Sequence, residues 1–369
     1  MKRLTMSLVG LAAMLLFSGG CEREISGNVE LVDNKSENCL QCHSGLLDQA
    51  QGEWANSVHA SGLSIDYTNR DGSDCMKCHD QQGFIQFVTT GTLPSEAFES
   101  VSAIGCFTCH NPHENGDLSL RTEAAYTLMD GDVFDHGEGN LCANCHHSRT
   151  DVRTIAANQR ISNRFGPHHG PQGDLLNASG GYEFPGESYD FGSSPHATLV
   201  TNACIGCHMG NPEIHEGYNV GGHSFVMEDE ASGTNLADLC AAGDCHDNEA
   251  EDYDFTADED YDMDGSVEGY QTEMDGLIDS LGQLLYAQGV VNDEYVPVTD
   301  TLADAHLAGA VYNFVYLRED RSHGVHNFRY ARDLMLASID YVSGLPTRVS
   351  PAVASQDTES AALAMLKSH

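Results

Sequence analysis

The stretch GCFTCHNPHENG, residues 105–116, sets Cys106 and Cys109 three positions apart, with His110 directly after the second and His113 three residues further on. The grouping recurs along the chain as CLQCH (Cys39, Cys42, His43), CMKCH (Cys75, Cys78, His79), CANCH (Cys142, Cys145, His146) and CIGCH (Cys204, Cys207, His208). A sixth group, CAAGDCH, is wider and holds Cys240, Cys245 and His246. These six pairs and Cys21 account for all 13 cysteines of the 369-residue chain.

A histidine after every second cysteine separates three chemistries. A disulfide framework needs no histidine. A zinc site needs two cysteine pairs matched to each other, with no rule that places histidine next. Covalent haem needs this spacing: the two thiols bond the vinyl groups on one porphyrin edge, and the adjacent imidazole reaches the iron. The residues therefore predict six covalently bound haem c groups. For the wider pair, a Cys240–Cys245 disulfide is the competing reading.

Six of the 19 histidines are then proximal ligands, which leaves 13 for the opposite faces. His113 lies too near its own attachment site to reach round that haem, so it is assigned to a neighbouring one. His59 follows EWANSV, a short helical stretch whose Trp54 is expected to pack on a haem face. His168 and His169 compete in RFGPHHGPQ, where Gly and Pro fix the backbone. His196 lies in SSPHATL, His223 in GGHSF and His326 in SHGVHN. The predicted distal set is His59, His113, His168, His196, His223 and His326. For each, the competing reading is a surface or merely hydrogen-bonded imidazole.

Residues 1–20 read as an export signal, with a basic start and a short apolar run ahead of SGGC. Cys21 then becomes a lipid-bearing N-terminus, and Glu22 after it points to the outer membrane. An ordinary secretory signal, giving a periplasmic or secreted protein, is the alternative. Acidic residues outnumber basic ones 56 to 17 for a net charge of −39, and loss of Lys2 and Arg3 would take it to −41. Such a charge excludes nucleic acid as a natural partner.

Residues 21–246 hold all six motifs in a Gly-, Ser- and Asn-rich background. Short helices and loops wrapped around stacked haems are expected there, with little β structure and no fold without haem. Residues 247–265 are an acidic loop in which Asp260, Asp262, Asp264 and Gly265 resemble the first half of a calcium site. Position twelve is Gln271 rather than Glu, with Glu268 at position nine. Calcium binding competes there with a plain solvated linker. Residues 266–345 carry apolar positions three or four apart, such as Met274, Leu277, Leu281 and Leu285, and predict a C-terminal α-helical hairpin. Residues 346–369 form a polar tail.

The motifs CFTCHNPH, RFGPHHGPQGDLL, CIGCHM with GGHSF, and DRSHGVHN resemble those of exported multihaem c-type cytochromes, in particular outer-surface cytochromes of metal-respiring bacteria. The resemblance implies electron transfer to partner cytochromes or extracellular metal oxides. Some such relatives form haem-stacked filaments, so a homo-oligomer or filament is among the expectations. DRSHGVHN also resembles multihaem nitrite- and hydroxylamine-converting enzymes, but the chain has no C-x-x-C-K. Two functions follow. The first is a conduit with every iron closed by two imidazoles. The second is a reductase of nitrite, hydroxylamine or a sulfur oxyanion with one open haem, for which Arg149, Arg153, Arg160 and Arg164 would line the pocket. The spare histidines and the negative charge favour the conduit.

Overall fold

A computed structural model describes residues 47–61, 75–93, 95, 98, 101–189, 192–210, 220–241, 246 and 252–345. The signal segment, Cys21, Cys39, Cys42, His43, Cys245 and the tail 346–369 lie outside the described residues.

The motif region is built from short helices. Met76–His79, Cys106–Cys109, Asn140–Ala143 and Cys204–His208 are each a single turn. One turn suffices to set residues three apart on the same side, which brings the two thiols of a motif together. Two longer helices brace them. Helix α1 (Asp48–Ala55) leads to His59, and helix α2 (Gln81–Thr90) follows the second motif. Helix α2 starts on the buried Asp80, whose carboxylate accepts the Gly83 N–H at 2.6 Å, and stops at Gly91 in the left-handed region.

The C-terminal part is different in kind. Helices α3 (Tyr270–Ala287), α4 (Ala305–Asp320) and α5 (Phe328–Ser343) pack on one another, three helices where the sequence suggested a simple hairpin. On α3, Met274, Leu277, Leu281 and Leu285 make one buried stripe. Helix α4 is buried on nearly all sides from Leu307 to Leu317, and Asp304 caps it by accepting the His306 N–H at 2.9 Å. Each such buried leucine contributes about 1.5–3 kcal/mol.

This core also takes in a segment that the sequence placed with the haem motifs. Val152, Ile155, Ile161, Leu175, Phe184 and Tyr189 pack into the helical cluster. Gln159–Ile161 pairs antiparallel with Asp300–Leu302. Asn313 clamps the join: its Oδ1 accepts the Tyr182 N–H at 2.7 Å and its Nδ2 donates to the Tyr182 carbonyl at 2.8 Å. The fold is thus mostly helix and loop, with two- and three-residue strands. Among the described residues no helix is long and apolar enough to cross a membrane.

Candidate haem-binding centre

The motif histidines meet partners in a regular way. His79 and His168 have ring centroids 6.2 Å apart, and His110 and His223 6.3 Å. His146 pairs with His59 at 6.1 Å, His208 with His326 at 6.3 Å, and His246 with His196 at 6.2 Å. In every case a histidine that follows a motif cysteine faces one distant in sequence. An iron between two imidazoles separates their centres by twice the sum of a ~2 Å metal–nitrogen bond and the ~1 Å from nitrogen to ring centre, roughly 6 Å. Stacked or edge-on aromatic pairs have no reason to hold one spacing, since they range over about 4.5–7 Å.

The second ring nitrogens fit the same role. A metal-bound imidazole normally donates its other N–H to a carbonyl or carboxylate, which fixes the ring. His110 Nδ1 lies 2.6 Å from the Leu118 carbonyl, and His208 Nδ1 3.1 Å from that of Phe225. His196 Nδ1 lies 2.9 Å from the Val325 carbonyl, and His146 Nδ1 3.2 Å from Gln172 Oε1. His326 Nδ1 reaches Asp320 Oδ1 at 2.7 Å, and His223 Nδ1 stands 3.4 Å from Glu53 Oε2.

Burial keeps most of these rings neutral, the form that binds metal. It pushes His59 down to about 4, aided by the nearby His146. His168 also falls to about 4 through burial and the Arg149 guanidinium. Burial lowers His79, His196 and His208 as well. His326 departs from the pattern: burial works to lower it, but the charge and hydrogen bond of Asp320 outweigh that and raise it.

The cysteines fit too. Cys75, Cys78, Cys106, Cys109, Cys142, Cys145, Cys204, Cys207 and Cys240 are all free thiols. The motifs abut. Cys78 Sγ lies 3.8 Å from the Asn144 carbonyl and Cys145 Sγ 3.8 Å from that of Lys77, so the second and fourth motifs meet edge to edge. The thiols of Cys142 and Cys204 also touch, joining the fourth motif to the fifth. Phe225 links further sites. Its ring lies 5.0 Å from that of His59 and 6.2 Å from that of His223, while its carbonyl holds His208.

Several other described histidines have partners of their own. His147 is buried with Nδ1 on the Ser148 carbonyl at 2.6 Å and Nε2 3.0 Å from the Tyr126 hydroxyl. His169, the competitor of His168, is exposed and bonds Glu319 at 2.8 Å. His306 bonds the Tyr182 hydroxyl and His323 bonds Asp275. His113 is exposed, with the Phe107 ring 5.6 Å away. Trp54, expected on a haem face, donates its indole N–H to the Ile104 carbonyl at 2.9 Å.

The four arginines weighed for a reductase pocket sit in different surroundings. Arg149 Nη1 is 3.5 Å from His168 Nε2, Arg153 is paired with Asp151 at 2.8 Å, and Arg160 and Arg164 are exposed.

In the acidic loop, carboxylates of Asp260, Asp262 and Glu273 converge, as do those of Asp262, Asp264 and Glu268. Sequence spacing pointed at Gln271, but its side chain donates to the Ser322 carbonyl. The buried Glu273, two residues on, takes its place against the loop and accepts the N–H groups of Tyr261, Asp262 and Glu268. Glu53, Gln172, Phe225 and Asp320 were not singled out from the sequence. Asp320 alone had a signal, since it opens DRSHGVHN beside a predicted ligand.

Among solved structures the chain is similar to a crystal structure of outer cell wall cytochrome OcwA, with 20% identity and a TM-score of 0.49 over 79% of this chain and 49% of that one. It is also similar to an undecahaem cytochrome from the S-layer of Carboxydothermus ferrireducens, with 18% identity and a TM-score of 0.45 over 79% of this chain and 41% of that one. The chain therefore spans half or less of the length of either protein. No family profile and no curated protein matches it.

Proposed function

We propose that this chain is a hexahaem c-type cytochrome that carries electrons through closely spaced bis-histidine haems at the cell surface, towards extracellular metals or partner cytochromes. The observation that carries the reading is the set of five histidine pairs at 6.1–6.3 Å, each joining a different motif to a distant imidazole. The pairs are His79 with His168, His110 with His223, His146 with His59, His208 with His326, and His246 with His196. His113 is left for the site of Cys39, Cys42 and His43.

When bound, haem supplies a one-electron ferric/ferrous couple. The protein's own contribution is to hold the imidazoles of His110, His146, His196, His208, His223 and His326 through their Nδ1 partners and to leave no ligand position for a substrate. Abutting motifs and the shared Phe225 hold neighbouring sites close. A chain at −39 favours basic partner proteins or bound metal cations. Lipid on Cys21 would keep it at the outer membrane.

The test is a mass measurement on the purified holoprotein, followed by EPR of the ferric form and absorption of the reduced form with and without carbon monoxide. Six haems, low-spin signals only and no carbon monoxide shift are the expected result. Five haems sink the count. A high-spin signal with a carbon monoxide shift sinks the closed-iron conduit and turns attention to nitrite and hydroxylamine turnover.

Calcium in the loop 260–268 belongs to the same proposal, supported by the converging carboxylates and Glu273. Metal analysis after dialysis against calcium tests it, with one calcium per chain expected and none from the Glu273→Gln variant. No calcium in the unaltered protein would leave the loop as an acidic linker.

A further inference from the structure

The histidine pairs differ in what holds their second nitrogen. His146 bonds an uncharged amide oxygen of Gln172, and His110, His196 and His208 bond backbone carbonyls. His326 bonds a carboxylate. Asp320 ends helix α4, and its side chain is 1% exposed, so water screens little of its charge. Its Oδ1 stands 2.7 Å from His326 Nδ1. Its Oδ2 accepts the Ser322 N–H at 3.1 Å and also bonds the Ser322 hydroxyl, which in turn accepts the His326 N–H at 3.2 Å. The carboxylate is locked in one orientation by the turn it belongs to. Glu53 offers His223 a weaker version, with Oε2 at 3.4 Å from Nδ1 and at 2.9 Å from the His223 backbone nitrogen.

A carboxylate that accepts an imidazole N–H pushes electron density into the ring and makes the far nitrogen a more basic ligand. A more basic ligand stabilises ferric over ferrous iron. A fixed negative charge in a dry site acts the same way, because reduction adds one electron and removes one positive charge from the iron. Both effects have one sign.

Resting on the bis-histidine reading above, we propose that Asp320 is a positioning residue for His326 that lowers the reduction potential of the haem held by Cys204, Cys207, His208 and His326. The neighbouring site on His146, whose ring bonds an amide, lacks this contribution, so Asp320 biases electron flow between the two sites from the fifth towards the fourth.

The experiment is a spectroelectrochemical titration of full-length holoprotein, with dithionite as reductant and ferricyanide as oxidant, for the unaltered protein and for Asp320→Asn. Asparagine keeps an acceptor oxygen and the shape while removing the charge. The expected result is that one haem's share of the absorbance moves to higher potential, the rest stays, and EPR remains low spin. A curve that does not move, with low-spin signals retained, overturns the proposal. So does an equal shift of every haem, which would be a general charge effect. If Asp320→Asn does not load haem, Ser322→Ala is read instead. It removes a competing hydroxyl from Asp320, so the same share should move to lower potential, and no movement overturns the idea. Failure of the underlying reading is seen separately, as a high-spin signal or a missing haem in the unaltered protein.

Discussion

The motif region and the helical region are held together by different means. In the helices, Leu277, Leu281, Phe314, Tyr316, Tyr330 and Leu334 fill space against one another, and each is at most 2% exposed. Around the motifs, a small cluster of Leu128, Phe134, Ala143, Leu176, Ala197 and Ala203 is the corresponding apolar core. What recurs there is the facing imidazole pair, and the side chains that orient it are polar. One region folds by excluding water from side chains. The other has its contacts arranged around facing imidazoles 6.1–6.3 Å apart, which haem would bridge in the proposed reading.

The largest expected effect comes from withholding haem. In a host without haem-attachment machinery, hydrogen exchange should show fast exchange across 75–93, 101–149, 192–210 and 220–241. Helices α3, α4 and α5 should stay protected together with 152–189. Equal protection, or equal loss, in both regions would break the comparison. Next in size is the removal of one axial ligand. His326→Ala should open a single site, giving a high-spin EPR signal and a carbon monoxide shift. His323→Ala should change neither, because His323 is exposed and bonds Asp275. Equal spectra for the two variants would mean that the 6.3 Å pair with His208 has no ligand role.

Much of this arrangement was legible in the residues. Cysteine spacing points to haem attachment because thioether chemistry needs it, and His59, His168, His196, His223 and His326, candidates from the residues around them, each lie 6.1–6.3 Å from a motif histidine. Which histidine faces which motif was not legible. His208 meets His326 because the loop between α4 and α5 reaches the fifth motif, and pairing of that kind is decided by packing. The membership of 152–189 was hidden as well. Its apolar residues Val152, Ile155, Ile161 and Leu175 follow no helical or strand period, so only the partners on α3 and α4 reveal them as core. Glu53 gave no signal, since a glutamate in a short helix reads as a surface residue until Gly221 and Gly222 bring His223 onto it.

A smaller effect should separate stability from spectrum. Leu281→Ala removes a fully buried side chain from the middle of α3 and should cost about 2–5 kcal/mol. Denaturant unfolding followed by far-ultraviolet circular dichroism would read it. The EPR signals of the folded variant should match those of the unaltered protein. A change in spin state would show that the helical core also sets ligand geometry, and the two regions would have to be treated as one.

The last effect is confined to one pH range and lies at the join itself, at Asp174. This residue is buried between the regions, where Oδ2 accepts the Ser148 N–H at 2.7 Å while Oδ1 has no hydrogen-bond partner. Burial, with Asp130 adding to it, pushes its carboxyl from 3.8 up to about 7, against the pull of the Ser148 N–H. The sign follows from proton counts. Between about pH 4 and pH 7 the unfolded chain has lost this proton and the folded chain still holds it, so stability falls as pH rises, by at most about 1.4 kcal/mol per unit. Below about pH 4 both states are protonated, and above about pH 7 both are ionised, so the contribution is flat on either side. Asp174→Asn should remove this component of the slope, which guanidinium unfolding at pH 5 and pH 7 would measure. An unchanged difference between those two pH values would mean that Asp174 is ionised in the fold. The seam would then hold a charge that Ser148 alone satisfies.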